Sequence, residues 1–504
     1  MTENQYIEVC KLTDEILEAR MSSSTRVAIP WLHVVRAHHV FLEEYEAIYD
    51  SSINSNFKNI KRKIRNLFML LVVLIQSLFY SSYSKWLKNI ATISKVDVLF
   101  LSHLLNKSQY DKEDDFYFSD LPQKASISGL KSLTVMVNHN GVRIQEVREN
   151  KFKKIVLPIR LGICSEIKNV ALLWSEYKAL KNEMRLEKNK IKKKVLYFAA
   201  IESLSHKTLF SLRLGLQIKG LVKTLGPKTL ITTHEGHAWE RKVFDSARMV
   251  SQNIQCIGYT HAPIFEKQHA VKRNLDKQYN PDVILNSGFT QKNQLQQYGL
   301  LNNIKIEVLG SIRSTNNLVE DSNLKIIKNS KIIKNKFCLV VPEGSKKEMS
   351  ILFDFSLECS KAMPECQFIW RLHPLFDFND KFFKNKKYLN LPNNIILSDQ
   401  NLNYDLLRSE WVLYRASSVV IQAIVAGLKP IYLHRANEIK IDSIHEIRNW
   451  KSEVVSVEEF KSTLTKILGN FSDYEEAQKY CMSVYSPLNA KILINIIRKK
   501  ISNG

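Results

Sequence analysis

Cysteine and long apolar runs are scarce in this chain of 504 residues. Its seven cysteines, at positions 10, 164, 256, 338, 359, 366 and 481, form no CxxC pair and have no histidine at metal-binding spacing. An odd, scattered set of this kind indicates reduced thiols and a cytoplasmic location. The N-terminal segment is polar and acidic and lacks the apolar core of a secretory signal, so no such signal is expected.

One apolar segment interrupts this polar character. Nine consecutive apolar residues run from Leu67 to Ile75, and the segment reaches Tyr80 after 14 residues. A bilayer-spanning helix needs about 20 residues, so the segment is too short to cross a membrane. Basic residues flank it on both sides, and together with them the segment extends over 61–88. This segment has two interpretations. It is either a helix buried against the protein or a helix lying peripherally on the anionic inner membrane.

Acidic residues are outnumbered, because 73 lysines and arginines face 50 aspartates and glutamates, a net charge of +23. The excess indicates an anionic partner: nucleic acid, an acidic membrane face or a phosphorylated substrate. With 45% hydrophobic and 24% charged residues, the composition excludes a disordered chain, a collagen or a coiled-coil rod. A basic nucleic-acid-binding protein is kept as an alternative. We expect no nucleic acid partner, since zinc-finger spacing and RNA-binding aromatic motifs are missing.

Two α/β domains are predicted from the alternation of short apolar strands with amphipathic helices. The expected organisation is a helical N-terminal extension (1–94), a Rossmann-like domain (95–315), a linker (316–336), a second Rossmann-like domain (337–475) and a C-terminal helix (476–504). Strands of the first domain are predicted at 96–102, 132–138, 153–159, 195–203, 228–236, 254–263, 281–288 and 304–313. Those of the second are predicted within 337–345 (a strand and its loop), 367–374 (a strand with its C-terminal loop), 393–400, 411–418 and 429–434. Ligands of such sheets bind at the carboxyl ends of the strands.

Two familiar phosphate-binding loops are missing from these strand ends. Without GxxxxGK[ST] a P-loop NTPase is disfavoured, and without GxGxxG a nicotinamide dehydrogenase is disfavoured. The acidic cluster Glu113-Asp114-Asp115 has the character of a solvated loop. No essential metal and no cofactor are therefore predicted.

In the first domain, two strand ends carry histidines. The loop His234-Glu235-Gly236-His237 offers a carboxylate that could act as general base, while Gly236 would allow close substrate approach. The structural alternative is that Glu235 caps the following helix. His261 follows the next strand and could hydrogen-bond an acceptor or a departing phosphate. His234, Gly236, His237 and His261 are the predicted acceptor-side residues.

In the second domain, three strand ends suit an anion. The loop Glu343-Gly344-Ser345 exposes backbone N–H groups at a helix start. The segment Arg371-Leu372-His373-Pro374 fixes a histidine that could donate to a leaving phosphate. Ser417 and Ser418 present two hydroxyls before a predicted helix. Each loop also has a plain structural interpretation as a turn or an N-cap.

Together these residues carry a resemblance. The tandem domains resemble the GT-B fold of glycosyltransferases, and the acidic-Gly, His-Pro and Ser-Ser motifs resemble those of bacterial sialyltransferases and polysialyltransferases. VDVLFLSHLL, HEGHAWE, VPEGS, RLHP and RASS are also similar to segments of other bacterial surface-carbohydrate enzymes. The resemblance spans residues 96–435.

The resemblance implies a metal-independent glycosyltransferase with a CMP-activated ulosonic acid, sialic-acid-like or Kdo-like, as donor. The acceptor would be a bacterial surface glycan of capsule, O-antigen or lipooligosaccharide, free or lipid-linked. Glu235 would be the catalytic base and His373 would assist departure of CMP. The nucleotide sugar would be held by Glu343, Gly344, Ser345, Arg371, Pro374, Ser417 and Ser418. The family has two acidic residues before the glycine, whereas here His234 precedes Glu235, so inversion and retention both stay open.

A second function fits the same motifs. Histidine and serine loops also occur in transferases that move glycerol phosphate or ribitol phosphate from CDP-linked donors. Such a phosphotransferase shows a further histidine motif late in the second domain, which His434 matches only in part.

Overall fold

The computed structural model describes residues 1–19, 23–50, 53–139, 141–142, 153–297, 300–314, 337–374, 376, 381–465 and 470–502. The linker predicted over 316–336 lies outside these residues. Within them, the chain forms two parallel sheets of seven and six strands with helices on their faces. This is the two-domain α/β fold class expected from the alternation of strands and helices.

The first sheet has the strand order β3-β2-β1-β4-β5-β6-β7, and every neighbouring pair is parallel. Alternate residues of β1 enter two different cores: Leu99 and Leu101 lie on one face, Val98 and Phe100 on the other. Both faces are therefore covered, which explains why the strands read as nearly continuous apolar runs. The strands are β1 Val98–Leu104, β2 Ser132–Asn138, β3 Lys154–Val156, β4 Thr229–Thr233, β5 Gln255–Thr260, β6 Val283–Asn286 and β7 Lys305–Val308.

The second sheet has the order β10-β9-β8-β11-β12-β13, again with every pair parallel. Counted within the domain, this is the order 3-2-1-4-5-6 of a doubly wound nucleotide-binding fold. Its last strand was not anticipated from the sequence. The strands are β8 Phe337–Val341, β9 Gln367–Trp370, β10 Ile395–Leu397, β11 Trp411–Tyr414, β12 Lys429–Leu433 and β13 Ser452–Val454.

The strand predicted over 195–203 is wrong, since these residues form the end of a helix, Lys190–Ser203. Asn189 caps this helix by accepting hydrogen bonds from the N–H groups of Ile191 and Lys192. The segment is buried on almost every side, so it shows no polar stripe, and a short apolar run of this kind does not distinguish a strand from a buried helix.

Helices of the N-terminal extension pack closely on the first domain. Leu17 and Trp31 share one core with Val195 and Phe198, and Trp86 belongs to the core beneath the first sheet. The helices before the second sheet are α1 Glu3–Glu18, α2 Ser24–Val27, α3 His39–Glu46, α4 Ile53–Ser77, α5 Tyr83–Ile90, α6 Lys107–Asp111, α7 Leu121–Ile127, α8 Ile163–Leu186, α9 Lys190–Ser203, α10 His206–Leu225, α11 Ala238–Arg248 and α12 Phe289–Gln297. None of the described helices combines the length and apolarity needed to cross a membrane.

The C-terminal region comprises two helices and returns to the first domain. Leu493 and Ile497 of the last helix complete the core around Phe100 and Ile231. Arg498 donates a hydrogen bond to the carbonyl of Ser128. The helices of this half are α13 Lys346–Ala362, α14 Lys386–Leu389, α15 Leu402–Arg408, α16 Val419–Val425, α17 Val457–Thr465, α18 Phe471–Val484 and α19 Ala490–Ser502.

Candidate functional site

The loops singled out in the sequence follow β4 and β5 in the first domain and β8, β9 and β11 in the second. Glu343, after β8, also meets the N-terminal extension: its carboxylate lies 3.4 Å from the guanidinium of Arg36. Arg36 in turn forms a β-bridge with Gln268, which lies beyond β5. A segment of the N-terminal extension thus connects the loops of the two sheets.

Glu240, on the first turn of α11, builds the loop after β4. Its carboxylate accepts hydrogen bonds from the backbone N–H groups of Glu235, Gly236 and His237 at 2.8–3.1 Å. Glu240 therefore performs the capping that was the structural alternative for Glu235. The side chain of Glu235 therefore does not cap the helix and is available for other contacts.

Glu235 forms an ion pair with His237, with 3.5 Å between Oε2 and Nε2. Burial would raise the pKa of Glu235, but the hydrogen bond and charge of His237 hold it below its usual value, with help from His261 and Arg36. The same pair raises the pKa of His237 against the effect of its burial. Glu235 is consequently an ionised carboxylate, with 30% of its side chain exposed.

Neutral histidines lie beside this ion pair. His103, at the end of β1, contacts the hydroxyl of Thr233 at 2.8 Å and the ring of His139 at 2.7 Å. Burial keeps the pKa of His103 well below its usual value and lowers the pKa of His261 to about 4. Tyr117 stands between them, with ring centroids 4.8 Å from His103 and 4.9 Å from His261. Nδ1 of His261 is buried and has no hydrogen-bond partner among the described residues.

The N-terminal extension supplies two further histidines to the second domain. Nε2 of His38 lies 2.8 Å from Glu343, and Nδ1 of His39 lies 2.9 Å from Glu348. Glu348 also pairs with Arg415 at 2.6 Å. Burial would raise the pKa of Glu348, yet His39 and Arg415 lower it to about 2.

His38, His39 and Glu348 are also placed closely enough to hold a metal ion. Nδ1 of His38, however, accepts a hydrogen bond from the N–H of Val40 at 3.3 Å. The proton of a neutral His38 therefore sits on Nε2, the atom that would have to donate a lone pair to the metal. The donor set fits an ion-pair cluster better than a metal site.

In the second domain, His373 and Gly344 are in contact. A Cβ at Gly344 would lie 3.1 Å from the imidazole of His373, so the glycine lets the ring approach the loop backbone. Burial lowers the pKa of His373, and the charge of Arg313 lowers it further. Arg313 also acts on His261 of the first domain. Among the described residues, no carboxylate forms an ion pair with Arg313.

Ser417 and Ser418 follow β11. Ser417 is buried, and its carbonyl accepts a hydrogen bond from the hydroxyl of Ser443. Ser418 precedes α16 but does not cap it through its side chain. The part of the chain that the structure describes offers no hydrogen-bond partner to either hydroxyl of the pair. Ser345 likewise precedes α13 without a side-chain capping bond.

Other predicted site residues contact the protein's own chain or lie exposed. Arg371 donates hydrogen bonds to Asp405 and to the carbonyl of Gln400, and Pro374 is exposed. His234 is 1% exposed and lies 3.3 Å from Glu240, inside the domain. Gly236 has φ +84°, and a Cβ there would lie 2.2 Å from the backbone of Ala270. Its close approach is to the protein's own chain.

Several residues of this region were missed in the sequence. Arg36, His38 and His39 lie in the helical extension, where no strand end pointed to them. His103 ends a predicted strand and could have been found by the rule that directed attention to Glu235 and His261. Arg313 closes the segment after β7, and only the folded chain shows that it lies near both His261 and His373.

Solved structures similar to this chain have low sequence identity to it. A structure of the glycotransferase of kitacinnamycin shares 9% identity, covering 81% of this chain and 100% of its own, with a TM-score of 0.45. UDP-GlcNAc 2-epimerase from Neisseria meningitidis, bound to UDP-GlcNAc, shares 10% identity, and the match covers 81% of this chain and 100% of the epimerase with a TM-score of 0.42. MurG of Acinetobacter baumannii shares 9% identity, and the match covers 80% of this chain and 99% of MurG with a TM-score of 0.41. No family model and no curated protein matches the chain. Similarity at this level says nothing of substrate or chemistry.

Proposed function

We propose that the chain is a metal-independent glycosyltransferase that takes a CMP-activated ulosonic acid as donor and a surface glycan as acceptor. One observation carries the proposal. An ionised carboxylate, Glu235, stands at the strand ends of one domain. Arg313, which forms no ion pair with a carboxylate among the described residues, carries a charge that lowers the pKa of His261 in the first domain and of His373 in the second. Glycosyl transfer from a nucleotide needs this division between a proton acceptor and an anion site.

On the acceptor side, Glu235 would take the proton of the attacking hydroxyl as the new bond to the anomeric carbon forms. His237 holds the carboxylate in its ionised form. A base of depressed pKa is weak, and its strength in the reaction would rise once substrate displaced the contact with His237. His261, neutral and with a free Nδ1, would hydrogen-bond the acceptor.

On the donor side, the bond between the anomeric carbon and the phosphate oxygen breaks, and CMP leaves with the electron pair. Arg313 and His373 would stabilise the charge that develops on the phosphate. The hydroxyls of Ser417 and Ser418, for which the described residues offer no partner, would donate to the same group. Gly344 would keep the loop backbone near the nucleotide. Arg371, held by Asp405, would support the loop from behind.

Calorimetric titration of the full chain with CMP, CDP, UDP, GDP and AMP tests the donor class. We expect CMP to bind and the Arg313→Gln and His373→Ala variants to bind it at least about tenfold more weakly, since a hydrogen bond to a charged group contributes roughly 1.5–3 kcal/mol. Arg498→Gln is the matched control, because this arginine donates its hydrogen bond to the carbonyl of Ser128 in the first domain. Preference for UDP or GDP would discard the CMP donor.

A transferase of polyol phosphate from a CDP-linked donor is the second candidate. The neutral histidines His103 and His261 favour it, because a neutral imidazole can donate a hydrogen bond to the oxygens of a transferred phosphoryl group. Assays with CDP-glycerol and with CMP-sialic acid separate the two reactions. Release of CMP together with glycerol phosphate transfer would select the phosphotransferase.

A further inference from the structure

Helix α4 presents an apolar face to solvent. Large side chains along it and just past its end are between 38% and 63% exposed: Ile60, Ile64, Leu67, Phe68, Leu71, Ile75 and Leu78. At about 100° per residue these positions fall within an arc of about 100° on one side of the helix. Asn66, Leu70, Val73 and Ser77 occupy the opposite side and are buried against the protein. One face of the helix is thus buried against the protein, as the first interpretation of this segment expected, and the other face is open to solvent.

The charge around this face is of one sign. Residues 51–96 contain eight lysines and arginines and no aspartate or glutamate. Lys61 and Arg65 are exposed beside the apolar stripe, and Lys85 and Lys88 are exposed on the following helix. An apolar face bordered by cations is the pattern of a helix that lies in the plane of an anionic lipid surface.

A cavity of about 450 Å³ opens beside α4. Met69 and Val73 of the helix line one side, and His139 and Trp239 line another. Since His139 is 2.7 Å from His103 and the ring of Trp239 packs edge-on against His103, the cavity adjoins the histidines near Glu235. It thus connects the exposed helix with the proposed acceptor side.

Arg160 gives this cavity a positive charge. Its guanidinium donates to Gln76 of α4 and to the carbonyl of Ile159, while its Nε is buried and has no hydrogen-bond partner in the described part of the chain. Among the described residues no carboxylate pairs with Arg160, whereas the neighbouring Arg213 is neutralised by Glu166. A guanidinium in this state suits a phosphate.

We propose that α4 lies on an anionic membrane surface and that the adjoining cavity receives the phosphate head of an acceptor carried by that membrane. The first part stands on the helix alone; the second rests on the proposed function, because it names the class of acceptor. Apolar contact would hold the chain at the lipid surface, and Arg160 would place the acceptor head next to the histidines.

Sedimentation with vesicles tests the membrane surface. The full chain should sediment with vesicles of phosphatidylglycerol and phosphatidylcholine more than with phosphatidylcholine alone. Phe68→Asp/Leu71→Asp should weaken this binding more than tenfold, and Lys61→Gln/Arg65→Gln about fivefold for each charge removed, at low salt. Ile127→Asp/Leu186→Asp, at residues 86% and 82% exposed on α7 and α8, is the matched control.

Equal sedimentation of the Phe68→Asp/Leu71→Asp variant and the parent would overturn the proposal. So would a change from dimer to monomer in that variant without any vesicle binding, because a second copy of the chain would then cover the helix. CMP affinity of the same variant separates a failure here from a failure of the proposed function, since CMP should bind it as it binds the parent.

The cavity is tested with decyl phosphate in solution. We expect the parent to bind it and Arg160→Gln to bind it about tenfold more weakly, while decanol shows no dependence on Arg160. Arg498→Gln serves as control. Equal affinity of the parent and Arg160→Gln would overturn the assignment of the cavity and leave the vesicle result standing.

Discussion

The strand ends of the two sheets differ in how their polar groups are paired. In the first domain the titratable groups are held by one another: Glu235 by His237, and the loop around them by Glu240. In the second domain the side-chain hydroxyls of Ser417 and Ser418 have no hydrogen-bond partner among the described residues, and burial lowers the pKa of His373. The contrast fits the proposed function, in which the first loops would transfer a proton and the second would bind an anion. Four predictions follow from that contrast.

Removing the carboxylate of Glu235 should have the largest effect. Glu235→Gln keeps the shape of the side chain and removes the proton acceptor, so turnover should fall about 10²–10⁴-fold. CMP affinity should stay within about twofold. Steady-state kinetics and calorimetry on the same preparation measure both quantities. Unchanged turnover would transfer the role of base to another group, and His261→Gln would then be the variant to assay.

Glu240 should matter for stability. In Glu240→Ala the N–H groups of Glu235, Gly236 and His237 lose their acceptor, and each unsatisfied donor costs about 1–3 kcal/mol. The free energy of unfolding should fall by at least about 2 kcal/mol in denaturant titration. Glu475→Ala, at an exposed carboxylate of α18, should change it by less than about 0.5 kcal/mol.

Ser417 and Ser418 of the second domain should affect the affinity for CMP. Ser417→Ala and Ser418→Ala each remove one hydroxyl that has no hydrogen-bond partner among the described residues, so stability should change by less than about 0.5 kcal/mol. CMP affinity should fall about threefold to tenfold for each, and KM for the donor should rise with little change in kcat. A loss of stability without a change in affinity would make these residues structural.

The smallest effect concerns pH. The pKa of Glu235 is lowered in the folded chain, so the carboxylate stays ionised below the usual range of glutamate, and activity should decline only at strongly acidic pH. His237→Gln removes the main cause of this lowering and should move the acidic limb of kcat/KM upward. The ionised pair of Glu235 and His237 stabilises the folded chain above pH 4.5, the ordinary pKa of glutamate. This contribution to the free energy of unfolding is lost as the pH falls through the lower pKa of Glu235 in the folded chain. An acidic limb of kcat/KM that stays in place in His237→Gln would contradict the ion pair between Glu235 and His237.

The sequence predicted both domains because each sheet is buried on two faces and its strands are continuous apolar runs. It also placed Glu235, His261, Glu343 and His373 at strand ends, which the structure confirms as positions. It missed Arg36 and Arg313, since their neighbours are far away in the chain and neither belongs to a motif. The segment 195–203 was assigned to a strand because burial from all sides removes the periodicity that identifies a helix.

The return of α19 to the first domain has a consequence during synthesis. Leu493 and Ile497 belong to the core around β1 and β4, yet they are made after the whole second domain. At roughly 5–20 residues per second, the ribosome adds them on the order of 10–40 s after Leu309, the last earlier member of that core. During that interval the first domain has an uncovered apolar face. The nascent chain therefore needs α19, made after the second domain, to close the core of the first.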